Sequence, residues 1–255
     1  MMYEKVFAQL CCDLRNLGIS EGNTVLVHSS LRSLGQVPGG AETVIAALQK
    51  VLGSDGTLLF PALSFRSVTA ENPFFDVNNT PCCVGALPEY FRLRQGSLRS
   101  IHPTHSVCAV GRKAAELTCG HEKDSTSCGE NSPFRKLREH GNWILFIGCS
   151  IAPNTSMHAV EELVEPPYLH GDYVKYKIAG AGDLCCEMNV RRHNFRNYRQ
   201  HYERLHDLLT ADELRYGQVL SASCALMNIP AMWQKALEAL ERDPFYFVTF
   251  LDSKI

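Results

Sequence analysis

The sequence contains no C-x-x-C pair, no G-x-x-x-x-G-K-[ST], no G-x-G-x-x-G, no G-x-S-x-G and no H-E-x-x-H. The phosphate-loop NTPase, dinucleotide-binding, serine-hydrolase and zincin chemistries therefore lose the residues on which they usually rest. There is no 18-residue apolar run, so no membrane-spanning helix is expected. The opening stretch MMYEKVFAQLCCDLRN carries charges where a secretory leader needs its apolar core. Neither sign of charge is in excess: 25 Lys+Arg against 27 Asp+Glu give a net charge of −2, without the basic surplus of a dedicated nucleic-acid binder.

What is present is the composition of a folded soluble protein: 255 residues, 45% hydrophobic and 20% charged, with 18 Gly and 12 Pro. Eleven cysteines are many, and six stand as the adjacent pairs Cys11-Cys12, Cys82-Cys83 and Cys185-Cys186. Adjacent cysteines seldom bridge each other, so these read as reduced thiols of a cytoplasmic protein.

Apolar positions at helical spacing over residues 3–18 end at Gly18 and predict a first helix. Thr24 to Val27 is a short β-rich run broken by His28-Ser29-Ser30. AETVIAALQKVLG reads as a helix closed by Gly53, and GTLLFPALSF as a buried strand running into Pro61. Residues 66–82 are turn-rich and read as an excursion without an element. GALPEYFRLRQG, AAELTCGH and SPFRKLREHG suggest helices; VCAVG and WILFIGC suggest strands. Farther on, YVKYKI reads as a strand, PAMWQKALEALERD as a helix and FYFVTFL as a strand that closes the sheet. This rhythm predicts an α/β fold, a single three-layer α/β/α domain over residues 1–255 with a central mixed sheet.

Three polar stretches could carry chemistry. His28 to Gly40, HSSLRSLGQVPGG, joins a strand to a helix; its serines and glycines suit a phosphate cradle or an ordinary connection. Within it, Gln36 to Ala41 fits the loose Q-x-x-G-x-A pattern of another acetyltransferase superfamily, a hexamer too degenerate to carry weight. Arg99 to Ser106, RSIHPTHS, gathers His102, Thr104, His105 and Ser106 beside a buried strand. It faces a cleft or is simply solvated, and a metal reading would pair His102 and His105 with His121 or Asp124. In GCSIAPNTSMHAVEEL, Thr155, His158 and Glu161 are spaced three apart and share one helical face. His158 is then a candidate general base with Glu161 or Glu162 as its orienter, or half of a surface pair.

Taken in order, VLVHSSLRSLGQVPGGAETVIAAL, LGSDGTLLFPALSF, FDVNNTP with GALPEYF, RSIHPTHSVCAVG, GENSPFRKL and TSMHAVEE resemble the aminoglycoside 3-N-acetyltransferase family. The resemblance implies acetyl transfer from acetyl-CoA to an amino group of an aminoglycoside or related amino sugar. It implies a catalytic set of His158 as base, Glu161 as orienter and Thr155 as a hydroxyl facing the thioester or thiolate. It also implies that CoA is bound by His28, Ser29, Ser30, Leu31, Arg32 and Gly35, together with His102, Thr104, Ser106 and Val107. No metal, nucleic-acid partner or membrane is expected. Cys149 and Cys108 would be acyl carriers only on a ping-pong route, the lesser reading.

Residues 1–165 carry the resemblance and would hold cofactor and catalysis; 166–255 diverge and would shape the acceptor site. There RRHNFRNYRQHYERLH sets Arg191, Arg192, Arg196, Arg199 and Arg204 against Glu203. Facing the cleft, this segment would favour a phosphate-bearing acceptor such as a nucleotide-linked amino sugar; as a solvated helix face it would leave the acceptor open. A non-catalytic CoA- or metal-binding relative of the fold is the alternative from another class.

Overall fold

The structure, a computed structural model, describes residues 2–180 and 186–251, so Cys185 lies outside the described residues. The elements follow one another as α1 (Met2–Leu17), β1 (Thr24–Ser29), α2 (Gly40–Leu52), β2 (Thr57–Pro61), β3 (Phe74–Asp76), α3 (Ala86–Leu93), β4 (Leu98–Arg99) and β5 (Val107–Gly111). Then come α4 (Ala114–Thr118), α5 (Pro133–His140), β6 (Trp143–Ile147), α6 (Ser156–Val164), β7 (His170–Ala179), β8 (Cys186–His193) and β9 (Tyr198–Gln200). The chain closes with α7 (Leu205–Leu208), β10 (Leu214–Val219), β11 (Ala222–Asn228), α8 (Ile229–Arg242) and β12 (Val248–Phe250).

Seven strands form a mixed sheet in the order β10-β11-β6-β1-β2-β5-β4. Its centre is parallel, with β1 between β6 and β2, and its flanks are antiparallel. Burial on both faces explains why the central strands read as apolar runs: Val25, Leu26 and Val27 have no exposed surface. Their side chains alternate between two cores. Val25, Val27, Leu58 and Phe60 meet α1, α2 and α3, while Leu26, Leu59 and Phe146 meet α4, α5, α6 and α8. The architecture is the expected three-layer α/β arrangement.

Three sequence readings change. The excursion over 66–82 contains β3, which pairs in parallel with β7 and joins it and β8 in a second, three-stranded sheet. The Arg99 guanidinium pins this excursion to the main sheet by donating to the carbonyls of Ala62, Val77 and Thr80. The FYFVTFL strand, β12, does not close the main sheet but pairs with β9. Nor is the segment 191–206 a solvated helix face: it is the end of β8, then β9 and a short 3-10 turn over Tyr202–Arg204.

Candidate active site

Helix α6 leaves the carboxyl end of β6, beside the carboxyl end of β1, the place where parallel α/β sheets hold ligands. Asn154 starts it by accepting the Ser156 N–H at 3.2 Å, and Glu165, in the left-handed conformation, ends it before Pro166. Met157, Ala159 and Val160 point into the core and fix the helix's rotation. His158 and Glu161 are thereby placed on one flank, as their spacing predicts, with Thr155 at the N-cap.

Glu161 has no exposed surface. A buried carboxylate is costly unless its oxygens are hydrogen-bonded, and here both are. Tyr168 donates to Oε1 at 2.9 Å, Tyr202 donates to Oε2 at 2.8 Å, and His158 Nδ1 stands 3.1 Å from Oε2. Burial and the adjoining carboxylate push the phenols of Tyr168 and Tyr202 above their ordinary range, so both remain proton donors. A carboxylate only accepts, so Nδ1 of His158 carries a proton, and in the neutral ring it is Nε2 that holds the lone pair. Gln200 steadies Tyr202 through a 2.7 Å bond to its hydroxyl.

The sequence left Glu161 and Glu162 open as orienters of His158. Geometry separates them: Glu161 holds His158, whereas Glu162 holds His193, its Oε1 lying 2.7 Å from His193 Nε2. Thr126 and the Cys128 N–H satisfy the rest of Glu162, and burial raises its pKa. His105 completes the group, with Nδ1 2.8 Å from the Thr104 hydroxyl. Burial, reinforced by the neighbouring imidazoles, holds His105 and His193 well below the usual histidine range, so both are neutral at pH 7. One ring nitrogen from each of His105, His158 and His193 lies within 4.8 Å of the others. A pocket of about 270 Å³ opens over them, lined also by Phe65, Arg192, Phe195 and Gln200.

The other expected residues fall into two places. His102 is fully buried; its Nδ1 accepts the N–H groups of Thr104 and His105, which shapes the turn that presents those two residues. Ser106 is spent on Ala62 and Arg99, and Val107 is in the sheet. The metal set of His102 and His105 with His121 or Asp124 does not converge. His121 stacks on His102 and bonds Ser100, and Asp124 is held by Asn131.

His28 and Ser29 end β1 with Nε2 and Oγ buried and unpartnered among the described residues. His28 stacks on Phe146, and burial lowers its pKa to about 4. Leu31 and Arg32 lie in the 3-10 turn that follows, Leu31–Leu34, which Ser30 and Gly35 cap, with Arg32 exposed. That turn packs on Gly148 so tightly that a Cβ there would lie 2.2 Å from the Ser33 Cβ. A larger cavity of about 950 Å³ opens beside it, lined by Ser33, Cys149 and Ser223 and by the carboxylates Glu203 and Asp207; among the described residues no lysine or arginine is in its wall.

His193, Tyr202 and Tyr168 do not stand out in the sequence. The basic segment 191–206 draws attention to its arginines, and no local pattern separates His193 from His201 or His206. The arginines themselves disperse. Arg192 alone of them lines the smaller pocket, Arg196 and Arg199 face solvent, and Arg204 bonds the Tyr246 carbonyl.

A three-layer α/β sheet with a buried carboxylate holding an imidazole at the mouth of a crevice defines a site suited to general-base chemistry, without a nucleophile elbow. The chain belongs to the aminoglycoside 3-N-acetyltransferase family, whose profile matches residues 26–241. Among relatives, aminoglycoside N(3)-acetyltransferase VII of Streptomyces paromomycinus is 35% identical over 176 residues, 62% of this chain and 61% of that protein. The chain thus spans about three fifths of that relative's length. A prophage-derived aminoglycoside N(3')-acetyltransferase-like protein of Bacillus subtilis (strain 168) is 29% identical over 85% of both chains. Among solved structures, AAC-IIIb in binary complex with CoASH superposes with a TM-score of 0.81 at 25% identity, covering 92% of this chain and 96% of that one. AAC(3)-IVa, as a histidine-to-alanine mutant in complex with a gentamicin, gives 0.79 at 27% identity over 94% and 90%.

Proposed function

We propose that this protein transfers an acetyl group from acetyl-CoA to an amino group of an aminoglycoside or a related cationic amino sugar, directly and without an acyl-enzyme, in the cytoplasm. The observation that carries the reading is the 3.1 Å contact of His158 Nδ1 with Glu161 Oε2, which leaves Nε2 for substrate. An alkyl ammonium cannot attack a thioester. One proton leaves the ammonium for solvent; as the amine nitrogen bonds to the thioester carbonyl carbon, His158 Nε2 takes a second, and the C–S bond breaks as the tetrahedral intermediate collapses. The imidazolium returns the proton to the departing thiolate, leaving an amide and free CoA. Such a base contributes roughly 10²–10⁴ in rate. Thr155 presents its hydroxyl to the thioester end.

Family membership and the CoASH complex of a neighbour support the donor. On this reading CoA runs along His28, Ser29, Ser30, Leu31, Arg32 and Gly35, with Thr104 near its reactive end. His102, Ser106 and Val107 act behind that surface by shaping it. Residues 166–255 form the acceptor wall, and the Glu203 and Asp207 carboxylates favour a cation. The dispersal of the arginines counts against a nucleotide-linked acceptor. A calorimetric titration with acetyl-CoA, followed by a thiol-release assay across cationic and anionic amino sugars, tests the assignment. Binding with turnover of a cationic acceptor is expected; turnover confined to anionic acceptors would overturn the acceptor class.

A further inference from the structure

We propose that His105, His158 and His193 form a binding site for one divalent transition-metal ion of the Zn²⁺ type, and that occupying it switches the transferase off. The three imidazoles come from three separate parts of the chain, the loop before β5, helix α6 and the end of β8, and one nitrogen of each converges within 4.8 Å of the others. In a tetrahedral zinc site the histidine nitrogens stand roughly 3.3 Å apart, which follows from Zn–N bonds of about 2.0–2.1 Å. Closing the triangle therefore needs shifts of about 1.5 Å or less at side-chain tips.

The outer shell matches the chemistry of metal ligation. A ligating histidine ordinarily gives its second nitrogen to a carboxylate or another oxygen, which fixes the tautomer and raises basicity. Here Glu161 takes Nδ1 of His158, Glu162 takes Nε2 of His193, and the Thr104 hydroxyl meets Nδ1 of His105. That leaves the second nitrogen of each ring for a metal, and one nitrogen of each lies within 4.8 Å of the others. Nδ1 of His193 is buried without a partner among the described residues, a deficit that a metal bond would relieve. Two buried carboxylates stand one bond behind the ion and offset its charge. Arg192 lines the same pocket and opposes it, so binding is reversible and not structural. Three protein ligands leave a fourth position for water.

The inhibitory consequence rests on the transferase reading above, because a metal on Nε2 of His158 removes the lone pair that takes the amine's proton. Binding itself does not depend on that reading. The test is titration of the chelator-stripped full chain with Co²⁺ alone, read by absorption, and with Zn²⁺ in competition with a chromophoric chelator. One equivalent with visible four-coordinate ligand-field bands and no thiolate charge-transfer band is expected. His193→Ala and His105→Ala should each abolish the bands, Glu162→Gln should weaken binding roughly 10–100-fold, and the remote His140→Ala should leave it unchanged. Far-UV circular dichroism verifies folding, and Zn²⁺ should raise the Tm of the wild type but of neither ligand variant. Absence of stoichiometric binding, bands that survive in both variants, or a thiolate band would overturn the site. Tight binding with undiminished transfer would leave the site standing and overturn the inhibition.

Discussion

The Tyr202 hydroxyl donates to Glu161 Oε2 at 2.8 Å across 41 residues of sequence, and that hydroxyl oxygen lies 3.0 Å from His158 Nδ1. The chain after β9 thus reaches back to helix α6 and completes its hydrogen bonding. Tyr202→Phe removes one donor to a buried carboxylate, an interaction worth about 1.5–3 kcal/mol when an ion is involved. We expect kcat to fall roughly 10–100-fold, from that same range, with the KM for acetyl-CoA unchanged. Steady-state kinetics with donor and acceptor varied separately checks this.

Direct transfer predicts an inert cysteine complement. Burial pushes the Cys149 thiol up to about 11 and Cys108 up to about 12, leaving almost no thiolate at neutral pH. Cys149→Ser should keep kcat within about twofold, since a thiol this weakly ionised is no nucleophile. Mass spectrometry after incubation with acetyl-CoA alone should find no acetylated protein; a stoichiometric adduct on Cys149 would establish a ping-pong route.

The acceptor wall is testable by charge removal. Glu203 is exposed and salt-screened, so Glu203→Gln should raise the KM for a polycationic acceptor only about 2–5-fold, the scale of an exposed ion pair. Asp207→Asn should act similarly, and the effect should shrink as ionic strength rises. Neutralising Arg191 and Arg192 should not raise that KM; a selective rise for an anionic acceptor would restore the nucleotide-linked reading.

Stability should decline on the acid side. His28 and His121 are buried without charge, with pKa values lowered from 6.5 to about 4 and about 3. Desolvation is the cause in both. Below about 6.5 the unfolded chain binds protons that the folded chain refuses, so stability is complete above that pH and drains away as pH falls toward 4 and then 3. Denaturant midpoints measured between about pH 7.5 and 4.5 should fall monotonically. His121→Gln should flatten the slope while lowering the plateau, because it also disturbs the Ser100 bond.

How much of this could be read in advance varies with the range of the interaction. The β1–α2–β2 unit and helix α6 announce themselves because their patterns are local: a buried apolar run, or three polar residues at spacing three with core residues between. Spacing alone puts His158 and Glu161 on one helical face but leaves Glu162 as a rival partner, and only the geometry decides for Glu161. Tyr168, His193 and Tyr202 do not announce themselves: Tyr168 is brought in by the turn after α6, His193 by the second sheet and Tyr202 by the 3-10 turn, and nothing local distinguishes His193 from its exposed neighbours. The β10–β11 hairpin also escapes pattern reading. It turns at Leu220 with φ 49, a left-handed conformation that sequence usually signals with Gly or Asn, here supported by a bond from Leu220 N–H to Asp13. His102 shows the opposite error of reading. Its neighbours advertise a polar loop, yet its ring is turned inward to cap that loop's own backbone.

Single-turnover transfer by His158→Ala, measured beside calorimetric binding of acetyl-CoA to the same preparation, bears most directly on the proposed chemistry. Loss of roughly 10²–10⁴ in the transfer rate with acetyl-CoA affinity unchanged is the expected result. Transfer at the wild-type rate would show that the proton of the attacking amine leaves by another route, and that the Glu161–His158 pair serves the fold and not the reaction.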